Sequence, residues 1–169
     1  MKVFRYAVGF VIVLWLPAMF RAQERGKFIQ AELQSSIKAA KAKPGEPVRL
    51  KTTGSVTLPD GLTVSRGVEI YGEITSADAH SLAMVFDHIE IDGAKKPVKL
   101  SIRAAMMPGS GDGGPSGAVQ AGAVIGLKGV TLILDDGPRH AAKFESTGKD
   151  LHLRSGLQIM LEASPPAGQ

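Results

Sequence analysis

The sequence predicts an all-β fold, a small antiparallel β-barrel or sandwich preceded by an N-terminal signal or anchor helix. Short runs of apolar residues recur between residues 48 and 161, and turn signals separate them at the spacing typical of barrels and sandwiches. Glycine and proline together contribute 30 of the 169 residues, which favours many turns over long helices. A chain of this length can form one domain with its own hydrophobic core.

The first twenty-two residues have the layout of a secretory signal. Lys2 and Arg5 precede an uncharged apolar stretch of fourteen residues, 7–20, whereas a helix that crosses a bilayer needs about 20. Pro17 shortens the helical part further. We therefore predict a signal peptide at residues 1–22 and export to the periplasm or cell envelope. An uncleaved membrane anchor is one alternative, and the buried first helix of a cytosolic protein is another.

The charge balance gives no indication of a nucleic-acid partner. Residues 1–22 carry three basic and no acidic side chains, so the net charge of +4 falls to +1 without them, with 17 basic and 16 acidic residues. The basic residues are interspersed with acidic ones rather than grouped. Cysteine is absent, which excludes disulfides and thiol chemistry.

The first part of the mature chain contains one ambiguous segment and one clear hairpin. Residues 28–37 fit a helical face or a strand. For the Lys/Glu-rich stretch 23–43 we favour a strand or a solvated face over a partner helix. Residues 56–58 and 62–64 flank Pro59, Asp60 and Gly61 and predict a hairpin, because Asp-Gly tolerates the positive φ values of tight turns.

Alternation continues along the next segments. Residues 68–74 alternate between apolar and polar, and residues 82–91 are apolar and β-branched. Asp92 and Gly93 can turn this run towards residues 98–102, which predicts a second hairpin. Beyond the turn-rich middle of the chain, residues 130–134, 151–153 and 157–161 read as further short strands.

These elements predict one β domain in two parts. Residues 23–107 form the main part, and residues 108–117 are a Gly-rich flexible linker. Residues 118–163 form a C-terminal part that completes the same domain, and residues 164–169 are a disordered tail.

Motifs that resemble cofactor sites lack the required context. Residues 109–114 match G-x-G-x-x-G and Asp135 follows, but the next segment is too rich in glycine to form the helix that must face a pyrophosphate. Gly148 and Lys149 lack the remainder of a P-loop. The H-E-x-x-H and G-x-S-x-G signatures are absent from the sequence. We predict no cofactor.

The nearest approach to a metal-binding set is His80, Asp87, His88 and Asp92. Two histidines on adjacent strands could share an ion, but neighbours such as Asp87 and His88 are expected to point to opposite faces of a strand. We therefore favour surface or hydrogen-bonded structural roles for these residues. The sequence predicts no catalytic, cofactor-binding or metal-binding residue.

Three groups of residues carry a resemblance to a known family, namely 29–33 with 41–48, 64–74 with 81–87, and 146–161. They resemble exported bacterial proteins that are similar to the C-terminal β-barrel of the conjugal-transfer, type IV secretion channel scaffold family. The resemblance implies a barrel fold, a non-enzymatic scaffold role and no catalytic residues.

The matched positions are mostly turn glycines and strand hydrophobics. The resemblance predicts that Gly67 and Gly72 bound a short strand and that Phe86 anchors the core. Ser65 stands where the family usually has proline, and Leu157 where threonine usually precedes the glutamine.

From these observations we expect a non-catalytic domain of the cell envelope that acts through protein–protein contacts on strand edges or hydrophobic faces. Its expected partners are envelope proteins, with membrane contact only through residues 1–22 if these are uncleaved. One alternative is a small-molecule or polymer-binding module that uses the barrel mouth. Another is an envelope enzyme with a site around His80, Asp87 and His88.

Overall fold

The computed structural model describes residues 28–58, 60–109, 120–135 and 140–164. The predicted signal or anchor, all of the Gly-rich segment except Pro108 and Gly109, and residues 165–169 lie outside this description. Ser164, the first residue of the predicted tail, still donates a backbone hydrogen bond of 3.0 Å to the carbonyl of Lys99. Within the described ranges, no helix has the length and apolar character needed to cross a membrane.

The regular secondary structure of the described residues is β-strand, apart from one turn of 3-10 helix at Ala39–Lys41. The strands in chain order are β1 (Phe28–Leu33), β2 (Ile37–Lys38), β3 (Pro47–Thr52), β4 (Val56–Thr57), β5 (Thr63–Val64), β6 (Glu69–Asp78), β7 (Ser81–Ile91), β8 (Ala94–Met106), β9 (Ala123–Ile125), β10 (Val130–Leu134), β11 (Ala142–Ser146), β12 (His152–Leu153) and β13 (Gln158–Ala163).

Six of these strands close into an antiparallel barrel. The order is β7-β6-β3-β1-β13-β8, and pairing of β8 with β7 completes the circle. This confirms the predicted all-β class and selects the barrel over the sandwich. The predicted N-terminal helix falls on residues outside the described ranges.

Strands β9, β10 and β11 lie where β7 and β8 separate. The second half of β7 pairs with β8, whereas its first half pairs with β11, which in turn pairs with β10. On the other side of the gap, β9 pairs in parallel with the end of β8. The two outer strands approach each other, since a Cβ on Gly122 would lie 3.4 Å from the carbonyl oxygen of Leu132.

Alternating side chains build the core, as the strand periodicity requires. In β1 the inward residues Ile29, Ala31 and Leu33 are buried, and the residues between them face outward. The largest fully buried side chains are Phe86 and Phe144, so Phe86 does anchor the core as predicted.

Both predicted hairpins are confirmed. Strands β4 and β5 pair with Val56 opposite Val64. Strands β7 and β8 meet at Asp92 and Gly93, whose φ angles of 53° and 76° are those of a tight hairpin turn. The ambiguous segment at residues 28–37 forms strand β1 and the start of β2, so the strand interpretation was correct there.

The prediction that Gly67 and Gly72 bound a short strand was half right. Gly67, with φ +88°, precedes β6. Gly72 instead lies inside β6, which continues to Asp78, and the ring of Phe86 packs against it. Gly72 therefore allows β6 and β7 to approach each other closely and does not end the strand.

One end of the barrel is covered by a two-stranded ribbon formed by β2 and β12, with Ile37 opposite Leu153. Ala39, Leu151 and Leu157 belong to the same buried core cluster as the barrel interior. The backbone N–H of Leu151 donates to the carbonyl of Ala79 in the β6–β7 turn, 2.8 Å away. We call this the capped end.

Candidate functional site

The barrel interior is filled by apolar side chains and offers little for binding a ligand. Thr52 and Ser81 are the only buried polar residues in the described part of the chain. The Thr52 hydroxyl donates to the carbonyl of Ser65 at 2.7 Å and accepts from the N–H of Val68 at 2.9 Å. The Ser81 hydroxyl donates to Asp78 Oδ2 at 2.5 Å. Both groups are committed to local structure, so a functional site has to be sought on the outer surface.

An apolar strip runs across the outer face of β13, β8 and β9. The register places Met160 opposite Ala104, Ala104 opposite Ala123, and Met106 opposite Ile125. These five side chains point away from the core on three neighbouring strands. Outward positions on barrel strands normally carry polar residues, so a continuous apolar row there is a candidate contact surface.

The small side chain of Ala104 forms the floor of a shallow groove between Met106 and Met160. Ala104 is only 5% exposed although it faces outward, whereas Ile125 is 37% exposed. The groove has a volume of ≈ 30 Å³. Pockets for small-molecule ligands measure about 300–1,000 Å³. The groove can therefore receive part of one side chain of a partner, and not a drug-sized molecule.

A β-bulge in β8 determines which of its residues face outward in this strip. Leu161 pairs with Ile102 and Met160 with Ala104, which leaves Arg103 as the extra residue in β8. Its guanidinium forms an ion pair with Glu162. The bulge thus keeps the small Ala104 beside Met160 and places a charged pair at the border of the strip.

A second outward cluster surrounds Tyr71. The register places Glu69 directly opposite Glu90, an unfavourable pairing of like charges. The Tyr71 hydroxyl lies 2.6 Å from Glu69 Oε2 and 2.7 Å from Glu90 Oε2. The Lys95 ammonium and the Arg49 guanidinium lie 4.3 Å and 5.6 Å from the centre of the Tyr71 ring.

The hydrogen bond to Glu69, followed by that to Glu90, raises the pKa of Tyr71 well above its ordinary value. The phenol is therefore held protonated as a hydrogen-bond donor, the opposite of what a catalytic base or nucleophile needs. We assign this cluster a structural role, which is to join β6 and β7 across two like charges.

The four residues singled out as the nearest metal-binding set do not come together. His80 lies in the turn before β7 and His88 lies within β7, eight residues later, which corresponds to roughly 26 Å along an extended chain. His80 Nδ1 lies 3.1 Å from the carbonyl oxygen of Lys149, and Asp92 forms the β7–β8 turn. Among the residues whose structure is described, no three His, Asp or Glu side chains are grouped so that they could hold a metal ion.

The prediction that Asp87 and His88 point to opposite faces was wrong. His88 Nδ1 lies 2.7 Å from Asp87 Oδ1. Tyr71 pairs with His88 and Gly72 with Phe86, so Asp87 is the extra residue of a bulge in β7. A bulge interrupts the strict alternation of a strand, which allows neighbouring side chains to meet.

The G-x-G-x-x-G segment falls almost entirely on residues outside the description. What the structure describes after it is a turn followed by strand β9 at Ala123–Ile125. Asp135, considered as a ribose ligand, directly follows strand β10 and donates its backbone N–H to the carbonyl of Ala141 at 3.0 Å.

Sequence reasoning missed the apolar strip because its residues come from three separate strands. The sequence signal that could have revealed the strip is the alternation of inward and outward residues in β13. There Met160 occupies an outward position between the buried residues Ile159 and Leu161. One outward methionine is common in any protein, and only the register shows that Ala104, Ala123 and Ile125 extend it into a strip.

Comparison with protein-family models and with curated proteins yields no match to this chain, so its function has to be inferred from the surface itself.

Proposed function

We propose that this chain is a non-catalytic β-barrel domain of the cell envelope that acts through protein–protein contacts, and that the apolar strip is its contact surface. The observation that carries the proposal is the continuous outward row of Ala104, Met106, Ala123, Ile125 and Met160 on three adjacent strands. Large apolar side chains beside a groove with a small floor are typical of protein-binding surfaces.

The chemistry of the strip fits a partner protein that presents aliphatic or aromatic side chains. Methionine has a flexible, polarisable side chain that adapts to the shape of its contact, and two of the five strip residues are methionines. Gln30 and Gln158 line the same groove and can exchange hydrogen bonds with the partner's polar groups. Phe28, 46% exposed, lies on the neighbouring strand β1 opposite Glu162, at the border of the strip.

Export and a scaffold role complete the proposal. The signal-like pattern of residues 1–22 supports export, and the resemblance to the secretion-channel scaffold family supports a place in an envelope assembly. The alternative of a binding module that uses the barrel mouth is disfavoured, because the inward side chains are apolar and tightly packed. The alternative of an enzyme around His80, Asp87 and His88 is disfavoured because His80 lies in the β6–β7 turn, far along the chain from Asp87 and His88 in β7.

The test is the native mass of the protein extracted in mild detergent from the envelope of the cells that produce it. We expect the unmodified chain to run in a complex with other proteins. A double variant with Met160→Lys and Ile125→Lys is expected to run as the free barrel, because two buried charges would have to be desolvated at the interface.

The matched control is Ile133→Lys. Ile133 is 44% exposed on β10 and lies outside the strip, so this variant should stay in the complex. Circular dichroism confirms that each variant is folded. An unmodified chain that runs as a free monomer, or a double variant that stays in the complex, would refute the proposal.

A further inference from the structure

The capped end of the barrel is basic, although the sequence as a whole is almost balanced. The loops and ribbon at this end are residues 34–46, 78–80, 126–129 and 147–157, and they carry six Lys or Arg against three Asp or Glu. The other described residues carry eight Lys or Arg against ten Asp or Glu. The fold therefore gathers positive charge at one end that the linear sequence disperses. The six cationic residues are Lys38, Lys41, Lys43, Lys128, Lys149 and Arg154.

Two clefts at the capped end concentrate this charge. The first, of ≈ 440 Å³, is lined by Lys38, Lys41 and Arg49 together with the carboxylate of Glu46.

The second cleft, of ≈ 470 Å³, is lined by Lys128, Lys149 and Arg154 together with Asp150. The ribbon contributes to both clefts, since Lys38 of the first is paired across it with His152 of the second. Each cleft thus offers three cations and one carboxylate, and both belong to the same end of the barrel.

None of these cations forms an ion pair within the described part of the molecule, and the Arg49 guanidinium also lies 5.6 Å from the centre of the Tyr71 ring. The ion pairs found there are Arg103 with Glu162, Lys143 with Glu145, and His88 with Asp87, and none lies in either cleft. Glu46 uses its Oε2 to accept the backbone N–H of Lys43 at 3.2 Å. The excess positive charge is therefore available to a ligand.

We propose that the capped end binds an acidic polypeptide segment, with its carboxylates in the two clefts and its apolar side chains on the cleft walls. Leu127 and Val130 line the second cleft, and Ile37 and Val48 line the first, so each cleft combines cations with aliphatic surface. A peptide in which acidic and aliphatic residues alternate matches both features. This site is separate from the apolar strip and adds a second kind of contact.

Two observations favour a polypeptide over other polyanions. Neither cleft is lined by a Phe, Tyr or Trp side chain, and the one aromatic ring among the described lining residues is the imidazole of His152, so both lack the large aromatic platforms on which nucleic-acid bases stack. The carboxylates of Glu46 and Asp150 would also repel an unbroken row of phosphates. Of the large exposed apolar residues of the described chain, Phe28, Ile125 and Ile133, only Ile125 adjoins the capped end, so the described residues there do not form the group of apolar anchors that a membrane-binding surface needs.

The test is fluorescence anisotropy of a short labelled peptide in which Glu and Leu alternate. We expect binding that weakens steeply between about 0.05 M and about 0.2 M salt. Replacing Lys128, Lys149 and Arg154 with Gln should weaken binding about tenfold, because three exposed ion pairs are lost.

The matched control replaces Lys51, Lys96 and Lys99 with Gln. It removes the same charge from residues outside both clefts and should leave the Kd within about twofold. The Met160→Lys and Ile125→Lys variant keeps all the residues of both clefts and should bind the peptide at least as tightly as the unmodified chain does, so failure of this site and failure of the apolar strip can be told apart.

A mixed-sequence oligonucleotide and vesicles of anionic lipid are measured in parallel. Tighter binding of either probe than of the peptide, an equal loss in the matched control, or no peptide binding at low salt would overturn the proposal.

Discussion

Replacing Gly72 with alanine tests the close packing of β6 against β7. A Cβ on Gly72 would lie 2.1 Å from the carbonyl oxygen of Val85 and 2.5 Å from Cδ1 of Phe86. Ordinary van der Waals contact begins at about 3.4 Å, so the two strands would have to separate by more than an ångström. The nearest atom belongs to the backbone of a central barrel strand, which cannot rotate away as a side chain can.

Overpacking a well-packed core costs about 1–3 kcal/mol. We expect the upper end, about 3 kcal/mol, because the clash involves both the backbone of Val85 and the buried ring of Phe86. For a domain of this size 1 kcal/mol lowers the melting temperature by roughly 2–4 °C, so Gly72→Ala should lower it by roughly 6–12 °C.

Urea unfolding followed by far-ultraviolet circular dichroism measures this loss. The midpoint should fall while the slope with denaturant stays the same. The matched control is Gly54→Ala, because a Cβ there would meet nothing within 4 Å, and its effect should stay within about 0.5 kcal/mol. Adding Phe86→Leu to Gly72→Ala should not restore stability, since the Val85 carbonyl remains. A Gly72→Ala variant as stable as the unmodified protein, or full rescue by Phe86→Leu, would refute this account of the packing.

Two further predictions concern the β7–β8 turn and the Tyr71 cluster. Gly93→Ala should destabilise the protein by about 1 kcal/mol in the same unfolding assay. Gly93 has φ 76° and a Cβ added there would meet nothing within 4 Å, so the substitution adds only backbone strain. An unchanged stability would contradict the turn geometry. Tyr71, measured by ultraviolet titration in a Tyr6→Phe background, should ionise well above the ordinary pKa of 10.0, because Glu69 and Glu90 stabilise the protonated phenol. Its contribution to stability should be complete below pH 10 and be lost as the pH rises through the raised pKa, and ionisation at the ordinary pKa would contradict the hydrogen bonds.

Local signals in the sequence were sufficient to predict most of the strands and turns. The Asp92-Gly93 dipeptide needs positive φ at both positions, and the turn forms there with a strand on each side. Alternation in residues 68–74 predicts a strand, and β6 covers most of this range. Such features depend on neighbouring residues only, so periodicity and turn chemistry reveal them.

Features that depend on register could not be predicted from one sequence. The bulges at Asp87 and Arg103 arise where paired strands differ in length by one residue, and they decide which neighbours share a face. The same limit applies to the strip around Ala104 and to the basic clefts. The residues of each come from segments far apart in the chain, and only the closed barrel brings them together.

Because β1 pairs with β13, the barrel cannot close until β13, the last strand that the structure describes, has been synthesised. Phe28 pairs with Glu162, 134 positions later, and β13 also supplies the second partner of β8. A nascent chain that stops short of Gln158 therefore leaves β1 and β8 with unpaired edges, which are templates for aggregation. Closure joins segments that are far apart in the sequence, so β1 and β8 keep these edges unpaired until β13 has been synthesised.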